Sequence, residues 1–189
     1  VLAIIAPGQG SQTPGLLNTW IENPELKALI ESWSQAIDLD LLHLGTTADA
    51  EEIKDTANAQ PLIVATSLLG AHALGLTNFA VTSGHSVGEL AAAALSGAIS
   101  SSDALSLVRS RGVEMAKAAA VTPAGMSAVL GGDRNEVLAA IAALNLVAAN
   151  DNGAGQIVAA GDLTTLAQLS DNPPASARVR ALAVADPAG

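Results

Sequence analysis

The feature that most constrains the fold is a serine between two glycines, Gly84-x-Ser86-x-Gly88, which separates an apolar segment from an alanine-rich one. The apolar segment 79–82 is typical of a buried strand, and the segment 87–95 is typical of a helix. A direct strand-to-helix reversal strains the backbone at the serine, and its neighbours must be small so that the two elements can approach. The pattern therefore predicts a nucleophile elbow, with the Ser86 hydroxyl exposed above a helix N-terminus.

Two backbone N–H groups, one in this turn and one in an earlier loop, are candidates for stabilising a negative charge. The N–H of Val87 follows the serine directly and points to where an oxyanion would form. The loop Gly8-Gln-Gly-Ser-Gln12 follows the first apolar run of the chain. Because loops at the carboxyl ends of parallel strands converge on one site, the N–H of Gln9 is the second candidate. A phosphate-binding loop is the alternative for this segment, but neither GxGxxG nor the P-loop pattern follows.

The order of the segments predicts two parts of the chain. Strand, loop and helix patterns alternate up to Thr122-Pro123, which indicates an α/β core with parallel strands. The later segments follow the order β-α-β-β-α-β and end in a strand over 178–185, which is the ferredoxin-like arrangement. We predict a core over 1–124, a subdomain over 125–185 and a tail over 186–189, where the rest of an incomplete core is expected.

Composition excludes several kinds of site. The chain has no cysteine, which excludes disulfides, thiolate metal sites and a cysteine nucleophile. A net charge of −10 argues against a nucleic-acid partner, because phosphate neutralisation needs a basic surface. The three histidines have unrelated spacings, so no metal site is predicted. The apolar runs are too short to span a membrane, so a cytoplasmic protein without membrane association is expected.

Side chains away from the elbow are ambiguous from the residues alone. Arg111 could bind a substrate carboxylate through its planar guanidinium, but a solvated helical arginine like its neighbour Arg109 is the more ordinary interpretation. Gln60 precedes Pro61 at the start of a helix predicted over 60–76. A glutamine at that position is more often a cap than a ligand.

A set of short motifs then stands in a fixed order along the chain. In sequence they are Gly8-Gln-Gly-Ser-Gln12, Gln60-Pro61, Gly84-His-Ser-Val-Gly-Glu89, Arg111-Gly112-x-x-Met115 and Asn150-x-Asn152-x-x-Gly155-Gln156. Their order and spacing resemble those of the malonyl-CoA:acyl carrier protein transacylases, from residue 1 to about residue 185. The resemblance implies an α/β-hydrolase-like core with an inserted ferredoxin-like subdomain. It also implies transfer of malonyl from malonyl-CoA to the phosphopantetheine thiol of acyl carrier protein, in fatty-acid or polyketide synthesis.

The resemblance also implies roles for individual residues. Ser86 carries the acyl group, the N–H groups of Gln9 and Val87 stabilise the tetrahedral intermediate, and Arg111 pairs with the free malonyl carboxylate. This last role replaces the solvated-arginine interpretation. The other substrate-binding positions that it implies are Gln60, His85, Met115 and Asn152. No cofactor or metal is implied beyond the two thioester substrates, and the full-length family form is expected to be a monomer whose partner is acyl carrier protein.

The chain departs from the family where the catalytic base is expected. Family members carry a histidine after the last strand of the subdomain, whereas this chain reads Asp186-Pro-Ala-Gly189 there. His85 adjoins Ser86, but consecutive side chains point apart. His43 and His72 are expected to be structural. Two explanations stay open: a longer chain of which these residues are part, which the intact earlier motifs favour, and a truncated, catalytically poor paralogue.

Other functions fit part of the sequence. A serine esterase or thioesterase would share the elbow, although such enzymes more often carry a His-Gly-Gly oxyanion loop, which is absent here. A non-catalytic module that binds acyl carrier protein would fit the missing histidine. Arg178 and Arg180 are candidates for a basic patch that docks acyl carrier protein, and a solvated strand edge is an equally good interpretation of them.

Overall fold

The computed structural model describes residues 1–121 and 124–182, and the chain divides into the compact units Val1–Lys117 and Ala118–Gly189. The predicted tail over 186–189 and the end of the predicted strand over 178–185 lie outside the described residues. The first elements in chain order are β1 Ala3–Ala6, α1 Pro24–Ile37, α2 Leu41–Thr46, α3 Thr56–Ala73, β2 Val81–Gly84, α4 Gly88–Leu95 and α5 Ser101–Val121. The following elements are β3 Ala124–Gly131, α6 Arg134–Ala143, β4 Val147–Asp151, β5 Gln156–Asp162, α7 Leu163–Asp171 and β6 Ala177–Leu182.

The first unit contains a parallel pair of strands, β1 and β2, with Ala3 opposite Val81 and Ala6 opposite Gly84. Parallel strands cannot be joined by a tight turn, and the helices α1 to α3 lie in the connection between these two. Both strands therefore end at the same edge, and the N–H of His85 donates to the Ala6 carbonyl at 3.1 Å. With the antiparallel sheet of the second unit, this pair confirms the predicted mixed α/β class.

Helix α3 lies at the centre of the core of the first unit. Leu62, Val64 and Ala65 on successive sides of the helix are all fully buried, as expected for a helix that is apolar all round. Side chains from α1, α2 and α5 belong to the same core cluster. The core therefore gives α3 a rigid environment.

Of the helices that the structure describes, none combines the length and apolar character that crossing a membrane requires.

Helix α3 begins one turn earlier than the sequence predicts. Asp55 caps it, because its carboxylate accepts a hydrogen bond from the Ala57 N–H at 2.7 Å. The helix starts at Thr56, so Gln60 lies inside the helix, and its residue surface is only 1% exposed. The alternative interpretation of Gln60 as a helix cap is therefore wrong, and its predicted role in substrate binding stays a prediction.

Pro61 explains why a helix break is expected at this point and does not occur. Proline has no N–H, so the carbonyl of Ala57, four residues earlier, lacks its ordinary helical donor. Arg109 replaces that donor, because its Nη1 donates to the Ala57 carbonyl at 3.1 Å. The interpretation of Arg109 as a solvated side chain is therefore wrong, because its guanidinium donates to a backbone carbonyl that has no N–H partner in the helix.

The second unit is a four-stranded antiparallel sheet with the strand order β4-β5-β3-β6. Its helices follow the order that the sequence predicts, α6 between β3 and β4 and α7 between β5 and β6. Val137 and Ile141 of α6 and Leu166 and Leu169 of α7 are buried in one core cluster with side chains of the strands. The helices therefore pack against the sheet over a single apolar layer.

Candidate active site

Ser86 lies at the turn between β2 and α4, and its φ of 52° is in the left-handed region. Residues other than glycine seldom adopt this conformation, which costs of order 1–3 kcal/mol. The first turn of α4 closes over the serine, because the Glu89 N–H donates to the Ser86 carbonyl and the Gly88 N–H to the His85 carbonyl, both at 3.0 Å. This is the strained strand-to-helix turn that the Gly-x-Ser-x-Gly pattern predicts.

The two glycines of the pattern are needed for space. A Cβ added to Gly84 would lie 2.2 Å from the carbonyl carbon of Gly88. A Cβ added to Gly88 would lie 2.5 Å from the carbonyl oxygens of Ala6 and Pro7. Both distances are far below van der Waals contact and both involve backbone, which cannot move aside as a side chain can. The glycines therefore let β1, β2 and α4 meet closely enough to form the turn.

Arg111 of α5 reaches the serine. Its Nη2 donates to Ser86 Oγ at 3.2 Å, and its Nη1 donates to Gln60 Oε1 at 2.6 Å. A guanidinium only donates hydrogen bonds, so Ser86 Oγ accepts here and keeps its own hydrogen free for a base. The interpretation of Arg111 as a solvated arginine is thus wrong, and the structure places a permanent cation beside the hydroxyl.

Gln60 connects the arginine to the glycine-rich loop. Its Nε2 donates to Gln9 Oε1 and to Met115 Sδ, both at 3.3 Å. A buried amide is costly unless its polar atoms are paired. These contacts pair the NH₂ group of Gln60, and Arg111 pairs its oxygen. The structure therefore connects Ser86, directly or through hydrogen-bonded neighbours, to four residues that the sequence selects: Gln9, Gln60, Arg111 and Met115.

The loop Gly8–Gln12 is held by side-chain hydrogen bonds. Gln12 accepts from the Gly10 N–H at 2.8 Å and donates to the Ile53 carbonyl at 3.2 Å. The Gln9 side chain donates to Thr56 Oγ1 at 3.1 Å. The sequence did not predict the contact between Gln9 and Thr56. Thr56 lies four residues before Gln60 and therefore on the same face of α3, but the predicted helix begins only at residue 60.

The N–H groups of Gln9 and Val87 are available for a ligand. Within the part of the chain that the structure describes, neither N–H donates to another backbone group. The side chain of Val87 is buried in the core cluster, which fixes the residue that follows the serine. Backbone donors that are not used within the fold are what the stabilisation of an oxyanion requires. Their assignment to that role stays a prediction.

His85 and Asn152 are the remaining predicted site residues. The ring of His85 lies against the loop, because a Cβ on Gly8 would come within 2.4 Å of its Nδ1. Asn152 belongs to the second unit, where its Nδ2 donates to Gln156 Oε1 at 2.8 Å and closes the turn between β4 and β5. Substrate-binding roles for His85 and Asn152 stay predictions.

Histidine and carboxylate side chains form no metal cluster within residues 1–121 and 124–182. His43 is an exposed partner of Glu52 Oε1 at 2.9 Å and of Thr47 Oγ1 at 2.8 Å. These contacts join α2 to the short 3-10 helix Glu52–Lys54. His72 lies in the last turn of α3. His43 thus has structural contacts on the surface.

Comparison with known proteins shows the family to which the chain belongs. The model of the acyl transferase domain family matches residues 4–185. A malonyl CoA-acyl carrier protein transacylase of Mycobacterium tuberculosis is 56% identical over 190 residues, which are 98% of this chain and 63% of the relative. The chain belongs to the acyl transferase domain family.

Solved structures show the same likeness. The crystal structure of MCAT from Mycobacterium tuberculosis has a TM-score of 0.92 at 56% identity, over 97% of this chain and 63% of that one. A type II PKS acyl-carrier protein in complex with its malonyl-transacylase is a second match, with a TM-score of 0.83 and 27% identity over 98% of this chain and 63% of that one. The chain thus spans a little under two thirds of the length of these relatives.

Proposed function

We propose that the protein transfers a malonyl group from malonyl-CoA to the phosphopantetheine thiol of acyl carrier protein, through an ester on Ser86. The observation that carries this proposal is the guanidinium of Arg111, which donates to both Ser86 Oγ and Gln60. Basic side chains are scarce in this chain, which has a net charge of −10, and one of them lies at the nucleophile. A guanidinium in this position favours an acyl group that carries a carboxylate. Relatives named malonyl CoA-acyl carrier protein transacylase support the proposal.

The proposed cycle has two acyl transfers. Ser86 Oγ attacks the thioester carbonyl carbon, an O–C bond forms and the C–S bond breaks. The serine proton passes to a general base and then to the departing coenzyme A sulfur. The thiol of acyl carrier protein next attacks the serine ester, and a C–S bond forms as the ester O–C bond breaks. The general base takes the proton of this thiol and passes it to Ser86 Oγ. In both steps the Gln9 and Val87 N–H groups donate to the oxyanion.

A labelling experiment tests the proposal directly. The full-length protein is mixed with malonyl-CoA, its intact mass is measured, and the modified peptide is sequenced by mass spectrometry. We expect one malonyl group per chain, on the peptide that contains Ser86, and its transfer to acyl carrier protein when that partner is added. Label on another residue contradicts the proposed nucleophile. Label on Ser86 that is lost to water but never reaches acyl carrier protein supports a hydrolase instead.

Arg111 is expected to set the preference for malonyl over acetyl. Its replacement by methionine keeps much of the side-chain volume but removes the guanidinium, so the malonyl carboxylate loses a charged partner. Hydrogen bonds to charged groups contribute about 1.5–3 kcal/mol, which predicts a fall in the malonyl labelling rate of about 10- to 100-fold, with a much smaller effect on acetyl. Competition between malonyl-CoA and acetyl-CoA measures the ratio.

The neighbouring arginine is the matched control for this substitution. Arg109→Met removes an equal charge from the same helix, but that guanidinium donates to the Ala57 carbonyl and not to Ser86. It should keep the malonyl preference. An equal loss of preference in Arg109→Met and Arg111→Met indicates a general charge effect and contradicts direct pairing of Arg111 with the carboxylate.

The same proposal includes the finer architecture and the partner. The β-α-β-β-α-β order and the sheet order β4-β5-β3-β6 support a ferredoxin-like subdomain, and the parallel pair with its elbow supports an α/β-hydrolase-like core. The boundaries 1–124 and 125–185 belong to this proposal.

Acyl carrier protein as the partner is supported by the solved complex of such a protein with its malonyl-transacylase. No cofactor beyond the thioester substrates is proposed.

A further inference from the structure

The hydroxyl of Thr56 lies at the end of a chain of side-chain hydrogen bonds that begins at Ser86. We propose that Thr56 is a positioning residue: by accepting the Gln9 side-chain amide, it holds the Gln9 backbone N–H where the oxyanion forms. The inference rests on the proposed function and adds to it a residue that the sequence analysis did not select. Thr56 itself touches neither Ser86 nor the acyl group in this role.

The direction of the hydrogen bonds follows from the arginine. Arg111 can only donate, so the amide oxygen of Gln60 must face it, at 2.6 Å. The Gln60 NH₂ group then faces Gln9 Oε1 at 3.3 Å, and this turns the Gln9 NH₂ group towards Thr56 Oγ1 at 3.1 Å. A flip of either amide would bring two donors together. The series therefore has one consistent orientation and needs an acceptor at its far end, which Thr56 supplies.

Thr56 is a fixed point, whereas Gln9 is not. Thr56 is the first residue of α3, which Asp55 caps through the Ala57 N–H at 2.7 Å. Gln9 is exposed and precedes Gly10, whose φ is +102°, so the backbone on that side is intrinsically permissive. The side chain of Gln9 connects this part of the loop to α3 at both ends of its amide, to Gln60 through Oε1 and to Thr56 through Nε2. Without the Thr56 hydroxyl only the Gln60 contact is left, and the Gln9 N–H should then move away from the carbonyl carbon that Ser86 attacks.

Thr56→Val tests this, because valine keeps the shape and β-branching of threonine but cannot accept a hydrogen bond. The single-turnover rate of Ser86 malonylation in the full-length protein should fall about three- to tenfold, as expected for one partly exposed hydrogen bond. The KM for malonyl-CoA and the malonyl-to-acetyl preference should stay near wild type, since Arg111 keeps its own contacts. Thr56→Ser restores the acceptor and should recover most of the rate.

Thr66→Val is the matched control. It removes a hydroxyl from the same helix that donates to the Leu62 carbonyl at 2.7 Å and lies outside the network, so its rate should equal wild type. Labelling of Ser86 at the wild-type rate in Thr56→Val overturns the inference and leaves the proposed function standing. A slow Thr56→Ser variant also overturns it, because the hydroxyl would then not be the cause.

A structural measurement tests the positioning role of Thr56 independently of the proposed function. If malonyl-CoA does not label the wild-type protein, the proposed function fails. Crystal structures of the wild type and of Thr56→Val then decide the inference by the position of Gln9 alone. A Gln9 backbone displaced in Thr56→Val supports positioning by the hydroxyl, and an unmoved Gln9 overturns it.

Discussion

Replacing Ser86 by alanine is expected to abolish labelling by malonyl-CoA and to lower malonyl transfer by roughly 10⁴- to 10⁶-fold. The proposed reaction needs a covalent ester on Oγ, and neither Arg111 nor the N–H groups of Gln9 and Val87 can form one. The fold should be unaffected, because serine and alanine meet the same backbone cost at a φ of 52°. Intact mass and the rate of coenzyme A release measure the two effects.

Ser96 offers a matched control for this variant. It lies at the other end of α4, where its hydroxyl donates to the Ala93 carbonyl at 2.9 Å, so Ser96→Ala should be labelled at the wild-type rate. A malonyl adduct on Ser86→Ala at the wild-type level would mean that another group takes the acyl chain, and the proposed mechanism would have to be abandoned.

Replacing Gly84 by alanine is expected to destabilise the first unit by about 3 kcal/mol or more. The new methyl group would lie 2.2 Å from the carbonyl carbon of Gly88 and 2.3 Å from the backbone nitrogen of Glu89. Since none of these atoms belongs to a side chain, the clash can be relieved only by separating β2 from α4. The elbow would move with them, so labelling of Ser86 should fall together with the denaturant midpoint.

Gly70→Ala is the control, and its expected effect has the opposite sign. Gly70 lies inside α3, and a Cβ there would meet only the ring of Trp20, at 3.8 Å, which is ordinary van der Waals contact. Alanine in a helix interior is more stable than glycine by about 0.5–1 kcal/mol. If both alanine variants show wild-type stability and labelling, the close approach at Gly84 does not hold the elbow.

The elbow is the part of the site that local sequence predicts best. A strand, a Gly-x-Ser-x-Gly turn and a helix are contiguous, and each requires only its neighbours in the chain. The structure has the turn where the pattern places it, between Val81–Gly84 and Gly88–Leu95. The positive φ of Ser86 shows that its backbone is strained. The glycines at 84 and 88 allow the close backbone contacts that hold the serine in this conformation.

Proline misled the sequence reasoning at α3 because the compensation for it is distant in the chain. The residue before Pro61 is disfavoured in a helix, and from local rules the helix should start there. Arg109, 52 positions away from Ala57 in sequence, donates to the carbonyl that the proline leaves open. No window of local sequence contains both partners, so the contact of Arg109 was not predictable. The start of the helix does have a local signal, because Asp55 is a favourable N-cap residue.

Sequence alone determined the mixed α/β class, the elbow at Ser86 and the absence of cysteine chemistry, because these follow from local pattern and composition. Tertiary structure decided which side chains meet at the serine. Arg111, Gln60, Gln9 and Thr56 come from α5, α3, a loop and the first turn of α3, and donor-only chemistry at the guanidinium orders them into one hydrogen-bonded series. Whether an arginine is solvated or placed at a nucleophile depends on where its helix packs, and packing is a property of the folded chain.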